Sequence, residues 1–94
     1  PIFQLDESFS IAISCADQAE VDRYWGALTA DGGQESQCGW LKDRFGVSWQ
    51  IVPKRLMELF ADPNPARAAA TGKAMMGMQR LIVADLEAAA DAAG

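Results

Sequence analysis

The chain has 94 residues, half of them hydrophobic, and a net charge of −5 at neutral pH. That length fits one small domain with a modest core. The apolar content does not fit disorder, and an acidic surface repels the phosphates of nucleic acid. No apolar run nears the roughly 20 residues of a membrane span, and the lack of histidine excludes a Ser-His-Asp or Cys-His triad and any histidine-ligated metal.

The opening residues, PIFQLDE, are acidic and lack a long apolar core, so no signal peptide is expected. Cys15 and Cys38 are too few for a disulfide framework. The expectation is a cytoplasmic protein with reduced thiols, and a Cys15–Cys38 bridge is the alternative if their strands are neighbours.

Pro1 to Glu7 reads as a lead-in strand or linker. Ser8 to Ala16 alternates, with Phe9, Ile11, Ile13 and Cys15 on one face and Ser8, Ser10, Ala12 and Ser14 on the other, which predicts a strand. Asp17 and Glu20 have capping-box spacing. Val21, Tyr24, Trp25 and Leu28 then recur as one apolar helical face, and Asp31-Gly32-Gly33 closes the helix. Gln34 to Gln37 is polar and predicts an exposed or edge strand.

Cys38 to Pro53, CGWLKDRFGVSWQIVP, predicts a hairpin. Cys38 to Leu41 is its first strand and Asp43 to Gly46 its turn, where Gly46 supplies a positive φ. Val47 to Val52 is its second strand, ended by Pro53. The order to Pro53 is βαβββ, a curved sheet with one helix on its outer face. The remainder is helical. Lys54 to Phe60 aligns Leu56, Leu59 and Phe60, and Asp62-Pro63-Asn64-Pro65 interrupts and recaps. Ala66 to Met78 is alanine-rich, Leu81 to Val83 is a short extended link, and Asp85 to Ala93 is a last helix.

CGWLKDRFGVSWQIVP, preceded by SFSIAISCADQAEVDRYWGAL, resembles the PhnB-like branch of the vicinal oxygen chelate superfamily. That superfamily includes glyoxalase I, bleomycin-resistance proteins and extradiol dioxygenases. Members of this branch often carry the label 3-demethylubiquinone-9 3-methyltransferase, and the resemblance extends into the helical tail. It implies an α+β fold with a glyoxalase-like βαβββ module over residues 1–53 and a C-terminal helical extension of the same domain over 54–94. In that superfamily two such modules enclose one small-molecule cavity, and this chain resembles the second. The expected partner is therefore a second copy in a homodimer or a first module of the same chain. The methyltransferase label is not read as chemistry, because Gly32-Gly33 follows a helix and no glycine-rich nucleotide loop joins a strand to a helix.

Metal-using members of the superfamily place one ligand in the first strand and one in the last. The matching positions are Ser10, seven residues before Asp17, and Gln50, four residues after Gly46. A neutral hydroxyl and a neutral amide suit no transition metal, so neither metal nor cofactor is expected. Ser10 and Gln50 instead become candidate hydrogen-bonding groups for a polar ligand, and Trp40 and Trp49 candidate stacking surfaces for a planar one. The alternative for Ser10 and Gln50 is that they satisfy buried backbone or each other, and for Trp40 and Trp49 it is core or interface packing. Tyr24 and Trp25 read as core, Cys38 as a buried inert thiol, and Asp43 as a solvated turn charge beside Lys42 and Arg44. Glu35 or Asp43 serves as a general base only if desolvated in a cleft. Met75, Met76 and Met78 suit helix packing or a dimer contact. Two functional readings stand: an enzymatic or ligand-binding cavity between paired modules, or a non-catalytic binding or dimerisation module that has lost the metal site.

Overall fold

The computed structural model describes residues 10–94. The expected lead-in over Pro1 to Glu7, and Ser8 and Phe9 of the first strand, lie outside the described residues. Four strands form one mixed sheet in the order β1-β4-β3-β2: β1 (Ser10–Cys15), β2 (Gln34–Glu35), β3 (Trp40–Lys42) and β4 (Ser48–Pro53). β1 runs parallel to β4, whereas β4–β3 and β3–β2 are antiparallel. The parallel pair requires a crossover, which α1 (Gln18–Thr29) provides.

α1 starts where the capping box predicts. The Asp17 carboxylate accepts the Glu20 amide at 2.9 Å, and the Glu20 side chain reaches back to the Ala16 amide at 2.8 Å. The helix ends in a 3-10 turn, Ala30–Gly32, in which Asp31 and Gly32 both take positive φ. Val21 and Trp25 carry the helix into the first core cluster, with Cys15, Leu41 and Ile51. Ile13, Tyr24, Leu28 and Trp49 pack on that cluster from its edges.

Two strands are shorter than the sequence predicts. β2 stops at Glu35 rather than Gln37, and β3 begins at Trp40 rather than Cys38. Cys38 and Gly39 form a turn with φ of +60° and +84°. Their amides donate to the carbonyls of Met78 and Gln79, each at 2.8 Å, so the turn is held by a segment far along the chain. Gly39 is required by contact as well as by φ, since a Cβ there would lie 3.0 Å from the Leu81 side chain and 3.1 Å from the Ile51 carbonyl oxygen.

α2 (Lys54–Phe60) follows β4 directly, and α3 (Pro65–Met76) is capped by the Asn64 side chain, which accepts the Ala66 amide at 2.9 Å. α3 thus begins one residue before the predicted start and stops at Met76. α4 (Val83–Ala93) begins at Val83 rather than Asp85, because the Gln18 side chain accepts the Val83 amide at 2.6 Å and initiates the helix there. Leu56, Leu59, Leu81, Leu86 and Ala90 form a second core cluster, against which Val52 of β4 packs. Burying one such leucine contributes about 1.5–3 kcal/mol. β4 therefore joins the two clusters, with Ile51 in the first and its neighbour Val52 against the second.

Both thiols are free. Cys15 ends β1 and Cys38 precedes β3, with β4 between those strands, so the alternative bridge is not formed. Among the described residues no helix is long and apolar enough to cross a membrane.

Candidate functional site

Strand alternation gives the sheet two chemically different faces. Ile13, Cys15, Leu41, Trp49 and Ile51 point to α1 and the first core cluster. The opposite face carries Ser10, Ala12 and Ser14 on β1, Ser48 and Gln50 on β4, Trp40 and Lys42 on β3, and Gln34 on β2. Register sets their neighbours: Trp40 lies opposite Gln50, Lys42 opposite Ser48 and Gln34, and Ser10 opposite Ser48. The helical cluster packs on this face at Val52. Ser10, Trp40, Ser48 and Gln50 are half-buried, and Ala12, Ser14, Lys42 and Gln34 are exposed. Beside Trp40, a groove of about 350 Å³ runs along β3 between Gln34, Ser36, Lys42 and Ser48, with Glu35 and Leu41 also bordering it.

The four sequence candidates therefore separate. Ser10, Trp40 and Gln50 share the face away from α1, and Trp49 lies on the other. The Trp49 indole N–H donates to the Asp43 carboxylate at 2.9 Å. The same carboxylate accepts the amides of Phe45 at 2.9 Å and Val47 at 3.0 Å. Asp43 is thus the internal acceptor of the hairpin turn rather than a solvated charge. The Trp49 indole bond, followed by the Val47 and Phe45 amides, holds its carboxyl below the usual carboxylate range. That shift makes Asp43 a weaker base, which removes it as a general-base candidate. Glu35 is exposed and accepts the Trp25 indole N–H at 3.1 Å. It borders the groove beside Trp40, but its exposure leaves it without the desolvation such a role needs.

Burial pushes the Cys15 thiol up, and the Glu20 charge adds to that, so it is a core group rather than a nucleophile. Cys38 is half-buried rather than fully buried. Sequence reasoning also missed a second cleft of about 360 Å³, between the C-terminal end of α1 and the hairpin tip. There Arg44 lies 3.4 Å from Asp31 and 4.9 Å from the centre of the Phe45 ring. These are exposed pairs, of the kind that contribute little. Phe45 is 76% exposed, and nothing in its local sequence distinguishes it from a turn residue that packs.

The donor set does not fit a transition metal. Ser10 and Gln50, the ligand positions expected from the resemblance, offer only neutral oxygen and nitrogen. Among the described residues no group of three or more Cys, Asp or Glu is placed to hold an ion. A nucleotide-type cofactor fits no better at the Gly32-Gly33 pair. A Cβ on Gly33 would fall 2.6–2.8 Å from the backbone of Leu28 and Thr29, so that glycine accommodates its own helix rather than an incoming phosphate.

No curated protein matches the chain. The family model described as 3-demethylubiquinone-9 3-methyltransferase matches residues 1–52, which takes in β1, α1, β2, β3 and all but the last residue of β4. It covers more than half of the 94 residues. On that match, the chain belongs to the 3-demethylubiquinone-9 3-methyltransferase family.

Proposed function

We propose, from that membership, that the chain supplies one wall of a small-molecule cavity of the glyoxalase-like type, closed by a second βαβββ module. The closing module is a second copy of this chain or a preceding module of the same protein. The observation that carries the reading is the sheet face of Ser10, Ser48, Gln50 and Trp40. It is polar, half-buried and set with one aromatic ring, in a domain that packs its other sheet face on α1. A face meant only for solvent has no use for a tryptophan opposite a glutamine. Gln50 offers both a donor and an acceptor, and the serines offer hydroxyls that serve as either. We take residues 1–53 as the cavity-forming module and 54–94 as a helical extension of the same domain. The two free thiols fit a reducing compartment such as the cytoplasm.

The neutral Ser10/Gln50 pair favours a cavity that binds and orients its ligand without a metal centre, and so supports the non-catalytic binding module as the second reading. Methyl transfer, which the family name suggests, has no support in the glycine geometry. Light scattering on the chain, with solvent accessibility by paramagnetic-probe NMR, tests the cavity. A mass near twice 10.1 kDa, with Ser10–Ser14, Trp40 and Gln50 shielded, is the expected result. A monomer up to millimolar concentration, or a dimer that leaves this face exposed, overturns the reading for the chain on its own.

A further inference from the structure

Resting on the cavity reading, we infer that this sheet face selects a planar organic anion, an aromatic or conjugated carboxylate stacked on Trp40 with its charge at Lys42. Of the described strand residues on that face, Lys42 alone is charged, although the chain as a whole has 13 acidic and 8 basic residues. Among the described residues the ion pairs engage Arg44, Arg55, Arg67 and Arg80, and none engages Lys42. The neighbouring carboxylate, Glu35, is committed to the Trp25 indole at 3.1 Å. Among the described strand residues of this face Lys42 is a single cation, and Glu35 at the groove's border is held by the Trp25 indole, so the face complements an anion rather than a cation.

The spacing suits a compact ligand. Trp40 and Lys42 are two residues apart on β3 and point to the same side, which separates their side-chain origins by about 7 Å along the strand. A ring on the indole can direct a carboxylate substituent along the strand toward the ammonium, where a charge-assisted contact of about 2.8 Å forms. Gln50 lies opposite Trp40 and Ser48 opposite Lys42, so ring substituents and the carboxylate each meet a polar partner. The groove of about 350 Å³ is at the lower end of the range for small-molecule sites, roughly 300–1,000 Å³. One or two fused rings suit that volume.

The test uses the 94-residue chain and three probes: 2-naphthoate, its neutral counterpart 2-naphthamide, and the non-planar cyclohexanecarboxylate. Binding is read from NMR shifts of the Trp40 indole and Gln50 side-chain amide signals. The expected result is that 2-naphthoate binds up to about fivefold more tightly than 2-naphthamide, as an accessible ion pair allows, and that cyclohexanecarboxylate binds least. Lys42→Gln removes the preference for naphthoate over naphthamide, whereas Lys42→Arg keeps it. If naphthamide binds the native chain as well as naphthoate does, or if Lys42→Gln leaves the ratio unchanged, the inference is overturned and the face remains a binding site. If no probe moves the Trp40 or Gln50 signals, the inference and the cavity reading fall together.

Discussion

Replacing Gln18 by alanine tests whether the C-terminal helices and the βαβββ module are one cooperative unit. Gln18 stands in the first turn of α1, yet its side chain is bonded to the start of α4. Its Oε1 accepts the Val83 amide at 2.6 Å, and its Nε2 donates to the Leu81 carbonyl at 3.0 Å and to Asp22 at 3.0 Å. The residue before α4, Ile82, makes no side-chain cap, so Gln18 supplies from another helix what a local cap would. Loss of a helix cap costs about 1 kcal/mol. Loss of the part-buried bond to the Leu81 carbonyl costs about another 1 kcal/mol. The exposed contact with Asp22 adds little. Gln18→Ala is therefore expected to lose about 2 kcal/mol, or about 8–16 °C in Tm for a domain of this size. Urea unfolding followed by tryptophan fluorescence and by far-UV circular dichroism checks this, since the tryptophans report the module and α2–α4 contribute much of the helix signal. Gln18→Glu keeps the acceptor for Val83 but loses the donor to Leu81, and should fall between the two. A loss below about 0.5 kcal/mol refutes the cap. Two separate transitions in the native chain refute the single domain over 1–53 and 54–94.

Asp43→Asn should flatten the acid limb of stability. The Asp43 carboxyl titrates lower in the folded chain than in the unfolded one, so its stabilisation is present above the unfolded value near 3.9 and is lost as pH falls through the folded value. The variant should be less stable than the native chain at neutral pH and converge with it on acidification below about pH 4. Tm curves that stay parallel from neutral to acid pH would refute the role. Asp62, bonded to Arg67 at 2.7 Å, is shifted the same way, so some acid dependence persists in the variant. Gly39→Ala and Gly46→Ala form a matched pair. Both glycines have a positive φ, +84° and +86°, but only Gly39 has neighbours within reach of a Cβ. Gly46→Ala is expected to cost about 1 kcal/mol for backbone strain, and Gly39→Ala more, about 2 kcal/mol or above. Equal losses in thermal unfolding would mean that the Cys38–Gly39 turn is not tightly docked on the segment around Leu81.

Local rules made much of the fold legible. The Asp17/Glu20 box and the Asn64-Pro65 start are closed within one turn of chain, the Val21-Tyr24-Trp25-Leu28 stripe is a periodicity within one helix, and all three are present. The departures occur where the deciding partner is remote. Cys38 and Gly39 leave the strand because their amides are taken by Met78 and Gln79. α4 starts early because Gln18, 65 residues upstream, caps it. No window of neighbouring residues contains either fact.

The site was limited by parity rather than by distance along the chain. Trp49 and Gln50 are consecutive in β4, and consecutive strand residues point to opposite faces. A site that uses Gln50 on the face away from α1 therefore cannot also use the Trp49 ring, and this followed from the alternation once Ile51 was placed in the core. What the sequence did not reveal was which residue of the pair faces α1, because Trp49 and Ile51 against Gln50 and Val52 leaves apolar groups on both sides. The Asp43 carboxylate resolves it, by taking the Trp49 indole N–H into the hairpin turn. Trp40 is then the ring that shares a face with Gln50, because β3 is antiparallel to β4 and its register sets Trp40 opposite Gln50, not Trp49. The same register puts Lys42 opposite Ser48, two residues from the ring on the same side. The ring and the charge stay together on β3 in any register, whereas the Gln50 amide joins them only in this one. A one-residue slip between β3 and β4 would place Trp40 and Lys42 on the face opposite Gln50, which ties their juxtaposition to the tightness of the Asp43–Gly46 turn.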